Sequence, residues 1–229
     1  MTEERRNFYG RLKGKPLKAP QKRDMETILP ELAIAGIAIE ENPEQTPLDI
    51  AAIAQGRPVW LEVGFGGGEH LVHQAKLNPD ACFIGVEPYI NGMAMLLGKI
   101  RREGVKNIRL HLGDVRALMD VLPDDCIDKA FLLYPDPWPK LRHNRRRFVT
   151  PDHLDPLARV VKSGAEFRVA SDIIDYIDQA MDEVPKAGFT YQKPARDWHA
   201  PWSDWISTRY EQKAIREGRP QHYLTFHRS

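Results

Sequence analysis

The stretch Leu61-Glu62-Val63-Gly64-Phe65-Gly66-Gly67-Gly68-Glu69 limits what this chain can fold into more than any other part of it. An apolar run, Val59 to Val63, breaks off at four glycines within five residues, and a helix-forming segment, Glu69 to Leu77, follows at once. Glycine reaches φ > 0 without a steric penalty and lets a ligand approach the main chain closely. Strand, glycine turn and helix, in that order, open a nucleotide-binding α/β unit. The bland alternative is a glycine-rich turn that holds nothing.

The rest of the chain continues the pattern. Apolar runs predict strands at 59–63, 82–87, 107–112, 127–134, 166–170, 187–192 and 221–227. Helical patterns lie between them at 68–77, 90–103, 115–121 and 172–184. A further helix starts near Pro151 and is expected to end at Ser163-Gly164, a C-terminal glycine signal. Residues 26–39 read as a short helix or strand leading in. Such alternation predicts a mostly parallel sheet with right-handed crossovers, in which ligands bind at the carboxyl ends of the strands. Glu62, Glu87, Asp114, Asp136 and Asp172 fall at or just past predicted strand ends and are expected to line one edge.

The acids bear on the ligand. A dinucleotide loop reads G-x-G-x-x-G and seats a pyrophosphate at a helix N-terminus. Gly64 and Gly66 fit, but the third glycine position falls on Glu69, and Glu62 stands just before the turn. Two carboxylates bracketing the turn repel a pyrophosphate and suit an ammonium or sulfonium group. S-adenosylmethionine carries both. Glu87, about 20 residues past the glycines, matches the acid that bonds a ribose diol, a group NAD shares. Asp114 can meet an adenine edge. The acids at three successive strand ends favour S-adenosylmethionine over NAD.

Composition sets bounds. At 229 residues and 42% hydrophobic content the chain supports one sizeable α/β core. The net charge of +1 hides an uneven distribution: Arg5 to Arg23 holds eight Lys or Arg and no acid, and Lys140 to Arg147 holds five more. Residues 1–25 read as a basic, flexible arm and 26–229 as a single domain. Cys82 and Cys126 sit in apolar runs and are expected to be buried reduced thiols. No run approaches membrane-spanning length and the N-terminus lacks a signal-peptide core, so a cytoplasmic protein is expected. His143 and His199 lack metal-ligand spacing, and no metal is expected.

A second motif, Tyr134-Pro135-Asp136-Pro137-Trp138-Pro139-Lys140, follows the fourth strand of the core. Its three prolines fix φ and remove donors, so the loop is stiff and holds Asp136 beside Trp138 and Lys140. The basic run beyond it is a phosphate-tracking surface in waiting, with nucleic acid the best-fitting polyanion. A charge run is otherwise a solvated face.

These residues resemble a known family. The Glu-Val-Gly-Phe-Gly-Gly-Gly loop, Gly85-Val86-Glu87-Pro88, the Pro135 to Lys140 loop with its arginine tail, and Thr208-Arg209-Tyr210-Glu211 together look like the bacterial tRNA (guanine-N7)-methyltransferases. The motifs come in family order from about Phe8 onward, and Phe8-Tyr9-Gly10-Arg11 looks like the family's basic arm. The resemblance implies a Rossmann-like class I methyltransferase fold: a seven-stranded, mostly parallel sheet with an antiparallel last strand. It implies S-adenosylmethionine as donor and a guanine of the tRNA variable loop as acceptor. No obligate protein partner is expected. Matched residue by residue, Glu62, Glu87, Asp114 and Asp136 are donor-binding positions, beside Gly64 and Gly66 of the loop, and Asp136 is also the catalytic position. Lys140, Asp172, Thr208, Arg209, Tyr210 and Glu211 are substrate-binding positions. Arg142, His143, Asn144, Arg145, Arg146 and Arg147 match the RNA-contacting segment.

The chemistry needs little machinery. Guanine N7 has a free lone pair, so positioning and fixed negative charge near the purine suffice. Asp136 or Asp172 can accept hydrogen bonds from guanine N1 and its amine, a pair that adenine lacks. Thr208-x-x-Glu211 is also a capping box. Trp198, Trp202 and Trp205 suit packing better than base stacking. Two other classes compete: an RNA-binding scaffold, which has no need of Glu87, and a nicotinamide-dependent oxidoreductase, which Glu69 disfavours.

Overall fold

The computed structural model describes residues 9–192 and 198–229; part of the basic arm, Phe8 included, lies outside the described residues. Seven strands form one sheet in the order β3-β2-β1-β4-β5-β7-β6. They are β1 (Val59–Val63), β2 (Cys82–Val86), β3 (Ile108–His111), β4 (Ile127–Leu133), β5 (Val161–Ser171), β6 (Phe189–Tyr191) and β7 (His222–Arg228). Strands β1 to β5 pair in parallel, and β7 runs antiparallel between β5 and β6. The chain moves outward from β1 through β2 to β3, then returns to start β4 on the other side of β1. That reversal opens a crevice at the carboxyl ends of β1 and β4.

The helices are α1 (Ala19–Thr27), α2 (Leu29–Leu32), α3 (Ile50–Ala54), α4 (Glu69–Leu77), α5 (Ile90–Glu103), α6 (Val115–Val121), α7 (Pro151–Val160), α8 (Ile174–Lys186) and α9 (Arg209–Arg216). The sheet is buried on both faces, as its unbroken apolar strands require. Cys82, Ile84 and Val86 of β2 pack into a cluster with residues of α6, α7 and α8, while Phe83 points to the opposite cluster with Leu71 of α4 and Leu96 of α5. Both cysteines are buried and free. Among the described residues, no helix is long and apolar enough to cross a membrane.

Three features differ from the pattern read in the sequence. The helix from Pro151 stops at Val160, not at Ser163-Gly164. Val160 and Val161 are buried β-branched residues that enter the sheet, and Gly164, at φ 78°, lies inside β5. The pairing jumps there from Ile127–Val161 to Lys129–Glu166, so the glycine serves a bulge and not a helix cap. The helix α3 was not expected; it is five residues long and held at its start by the Asp49 carboxylate, which accepts from Ala52 N at 2.9 Å. The lead-in region carries α1 and α2, and α1 begins within the basic segment. It packs on α5, where buried Asp24 accepts from Arg101 Nε at 3.1 Å.

Candidate active site

The glycine turn forms the floor of a cavity of about 940 Å³ at the carboxyl ends of the first four strands, large enough for a nucleoside-sized ligand. Gly66 sits at φ 56°, and a side chain there would meet the Tyr210 ring at 3.0 Å. Gly92, in the first turn of α5, lies so close that an added Cβ would stand 2.4 Å from the Gly66 carbonyl oxygen. Helix and loop therefore touch backbone to backbone. Lys99 of the same helix donates to Gly67 O at 2.6 Å and pairs with Glu69 at 2.8 Å, closing the turn from outside.

Glu87 follows β2 directly. Its buried carboxylate accepts from Gly66 N at 2.6 Å and Tyr89 N at 2.9 Å. Burial pushes its carboxyl up to about 7, overriding the two backbone donors, and the nearby Asp136 charge adds to the rise. Asp114 follows β3 and caps α6, accepting from Arg116 N at 2.9 Å. Burial opposes its ionisation, but the Arg116 guanidinium at 2.5 Å outweighs it and holds the carboxyl below its ordinary range. Glu87, Asp114 and Asp136 thus all line the cavity beside the glycine turn.

Glu62 and Asp172 do not line it. Glu62 lies inside β1, 3% exposed, with its carboxylate 2.7 Å from Nδ1 of His70 on α4. Asp172 accepts from Arg219 Nε at 2.5 Å. His70 and Arg219 had no signal in the sequence: one is a helix histidine that nothing sets apart from its neighbour His73, the other a single arginine between Gly218 and Pro220.

The proline-rich loop leaves β4 through Tyr134 at φ 49° and passes Trp138 at φ 41°. Left-handed conformations at bulky residues cost roughly 1–3 kcal/mol each and persist only where the surroundings impose them. Asp136 lies between these two residues and reaches the cavity, where desolvation raises its carboxyl above the ordinary range. The basic run beyond forms a 3-10 turn, Leu141–Arg146. Lys140, Arg142 and Arg145 are exposed, and His143, Asn144 and Arg146 are half-buried. The Arg146 guanidinium lies between the rings of Tyr9, 4.6 Å away, and Trp138, 5.0 Å away. Arg147 turns inward and has no exposed surface.

The N-terminal segment completes the rim. Arg11 stands over the Tyr89 ring, Leu12 O accepts from Ile90 N at 3.0 Å, and Gly14 N donates to Asn91 Oδ1 at 2.8 Å. Across the cavity, Arg209 and the exposed Tyr210 start α9. Thr208 caps that helix, accepting from Glu211 N at 3.3 Å. Glu211 does not close the reciprocal half of a capping box. Its buried carboxylate accepts instead from Trp205 Nε1 at 3.0 Å and from the Tyr223 hydroxyl. Trp202 and Trp205 pack edge-on with each other and with Tyr223.

Comparison with known proteins decides the family. A family model described as "Putative methyltransferase" matches residues 56–224. The chain is 65% identical over 224 residues to a tRNA (guanine-N(7)-)-methyltransferase of Ruegeria sp. (strain TM1040), covering 97% of this chain and 88% of that protein. It is 65% identical over 226 residues to the protein of that name from Roseobacter denitrificans, covering 98% and 97%.

The chain belongs to the tRNA (guanine-N7)-methyltransferase family.

The family reaches further, to the Agrobacterium fabrum protein of the same name at 46% identity over 233 residues, covering 99% of both chains. Solved structures share the fold. The 16S rRNA methyltransferase KamB superposes with a TM-score of 0.57 at 19% identity, covering 80% of this chain and 94% of that one. The aminoglycoside resistance methyltransferase NpmB1 does so at 0.51 and 18%, covering 84% and 94%. The architecture is that of a class I methyltransferase, with a seven-stranded, mostly parallel sheet whose last strand is antiparallel. In this member of the tRNA (guanine-N7)-methyltransferase family, the cavity has an acidic floor under a rim carrying Arg11, Arg145, Arg146 and Arg209.

Proposed function

We propose that the chain transfers the methyl group of S-adenosylmethionine to N7 of a guanine in the variable loop of tRNA. The observation that carries this reading is the acid-floored cavity at the carboxyl ends of the strands, opening under a rim of arginines. S-adenosylmethionine supplies the electrophilic methyl carbon. The residues present fit it: Glu87 is fixed by two backbone donors with its remaining lone pairs free to accept a ribose diol, and Asp114 lines the same cavity, where it would meet an adenine edge. Glu62 is held by His70 just before the turn.

Asp136 faces the same space, whereas Asp172 is engaged by Arg219. This favours Asp136 as the acceptor for guanine N1 and its amine, and as the fixed charge that offsets the cation growing on the purine. Lys140, Arg142, His143, Asn144, Arg145 and Arg146, with the basic N-terminal arm, form the surface that tracks tRNA phosphates. Arg209 and Tyr210 wall the base side of the cavity, while Thr208 and Glu211 hold them in place. Action on tRNA is in keeping with a cytoplasmic location. The direct test uses methyl-labelled S-adenosylmethionine and tRNA lacking base modifications. Label in 7-methylguanosine is expected; label in another nucleoside, or none from folded protein that binds tRNA, overturns the reading.

Glu87 gives the donor site a pH dependence. An ionised carboxylate accepts from both ribose hydroxyls, and a protonated one gives up an acceptor. With the free carboxyl near 7, affinity for S-adenosylhomocysteine should rise about tenfold from pH 6 to pH 8, with a proton released on binding. Glu87's own effect on folding has the opposite sign: its folded-state value lies above the unfolded one, so its contribution is best below the ordinary carboxylate range and is lost as pH rises through about 7. Titration calorimetry at the two pH values checks the binding claim. A Glu87→Gln variant should bind weakly at both, and an equal slope in that variant would remove Glu87 as the cause.

A further inference from the structure

The basic run ends on an arginine whose surroundings differ from those of its neighbours. Arg147 is 0% exposed and is the largest fully buried side chain among the described residues. Its Nε donates to Pro137 O at 2.7 Å, and Nη2 reaches Trp138 O at 3.5 Å. Nη2 also pairs with the Asp175 carboxylate at 2.5 Å. Nη1 donates to Asp175 O at 3.1 Å and to Gln179 Oε1 at 2.9 Å. Gln179 in turn donates to Val149 O at 3.0 Å, and the Tyr176 ring lies 5.4 Å from the guanidinium carbon. Removing a guanidinium from water is costly unless its donors are met, and here they are met by α8 on one side and by the proline-rich loop on the other.

What the guanidinium grips is the backbone immediately after Asp136. Residues 135, 137 and 139 are prolines without an N–H, so the loop is poor in donors for bonding itself in place. Trp138 is left-handed. A planar fork with several fixed donors can hold two successive carbonyls and a carboxylate together; an ammonium cannot. We infer that Arg147 is the positioning residue of the site: it fixes Asp136 over the cavity through the carbonyls of Pro137 and Trp138, with α8 as its base, and it does not contact RNA. Because Arg147 directly follows the turn that carries Arg145 and Arg146, the same anchor sets the distance between the RNA-facing rim and Asp136. The inference rests on the reading of Asp136 given above.

The test is a double-mutant cycle. Arg147→Lys keeps the charge and the stem but loses the fork. Expected are a folded protein by circular dichroism, unchanged affinity for S-adenosylhomocysteine, and a kcat about a hundredfold lower, the scale of a displaced reacting group. The slope of tRNA binding against salt should match wild type, whereas Arg145→Gln should lower it by about one. In an Asp136→Ala background, Arg147→Lys should produce no further loss of kcat, since both act on one element. Wild-type kcat, a slope lowered as in Arg145→Gln, or losses that multiply would each overturn the inference. Should Arg147→Lys not fold, Gln179→Leu carries the same cycle, with about a tenfold expected loss. If Asp136→Ala alone keeps full kcat, the Asp136 reading falls and this one with it. If Asp136→Ala is inactive while Arg147→Lys is fully active, only the role of Arg147 falls.

Discussion

Replacing Asp136 with alanine should leave a folded protein that binds tRNA but transfers methyl groups roughly 10²- to 10³-fold more slowly, the range seen when one preorganised electrostatic group is removed from a reacting site. The side chain projects from a loop into the cavity and supports no part of the hydrophobic core, so the fold has little to lose. Binding to tRNA should persist because the rim cations remain. Removing one carboxylate from the floor should also lower the Glu87 carboxyl, since the Asp136 charge contributes to its rise. Donor affinity should then hold or improve near pH 7 while turnover collapses. Single-turnover methyl transfer with saturating tRNA measures the loss. A rate within threefold of wild type would move the chemistry away from Asp136 and leave the guanine contact to Asp172.

The second large effect is expected at Gly92. Alanine is about 1 kcal/mol better than glycine inside a helix, so propensity alone predicts stabilisation. Here sterics win. The new methyl would stand 2.4 Å from the Gly66 carbonyl oxygen and 3.2 Å from Glu87 Cγ. The obstacle is backbone, not the yielding end of a side chain. Either α5 moves off its packing or the glycine turn shifts, at a cost of about 1–3 kcal/mol for overpacking and a few degrees in Tm. A turn displaced by the methyl misplaces both Gly66 N and the Glu87 carboxylate bonded to it. Affinity for S-adenosylhomocysteine should fall more than about tenfold, one decade being 1.4 kcal/mol. Gly98→Ala is the control in the same helix. Its new methyl would find only Asp24 Oδ2 at 3.8 Å, so propensity should prevail and Tm should hold or rise. If Gly92→Ala behaves like Gly98→Ala, the close contact of helix and loop does not govern the site.

Much of the fold was legible because its signals are local. The apolar runs of β1, β2 and β4 end in glycine, acid or proline, and each boundary lies within a residue or two of the observed one. Glu87, Asp114 and Asp136 could be placed on one edge because strand ends in a parallel sheet share a side. Other features depend on neighbours distant in sequence. Gly164 looks like a helix stop, but burial of Val160 and Val161 draws the chain into the sheet first. Glu62 is one residue short of its strand end, and at that register its side chain faces His70 on α4 and not the crevice. Within Lys140 to Arg147 every cation reads alike, since the one apolar residue of the 3-10 turn, Leu141, is exposed and marks no inward position. Only α8, with Asp175 and Gln179 waiting beneath it, selects Arg147.

The placement of β7 bears on how the molecule is made. Among the described residues, the strand that comes last in sequence does not sit at the margin of the sheet; it is inserted between β5 and β6. During synthesis from the N-terminus, β1 to β5 can assemble as they emerge, but β5 keeps a bare flank and β6, which among the described residues pairs only with β7, must wait for it. A chain whose β7 has not yet docked therefore carries an unsatisfied, aggregation-prone edge along β5. The closing step joins segments far apart in sequence, which makes it slow, and a substitution that kept β7 from docking would detach two strands, not one.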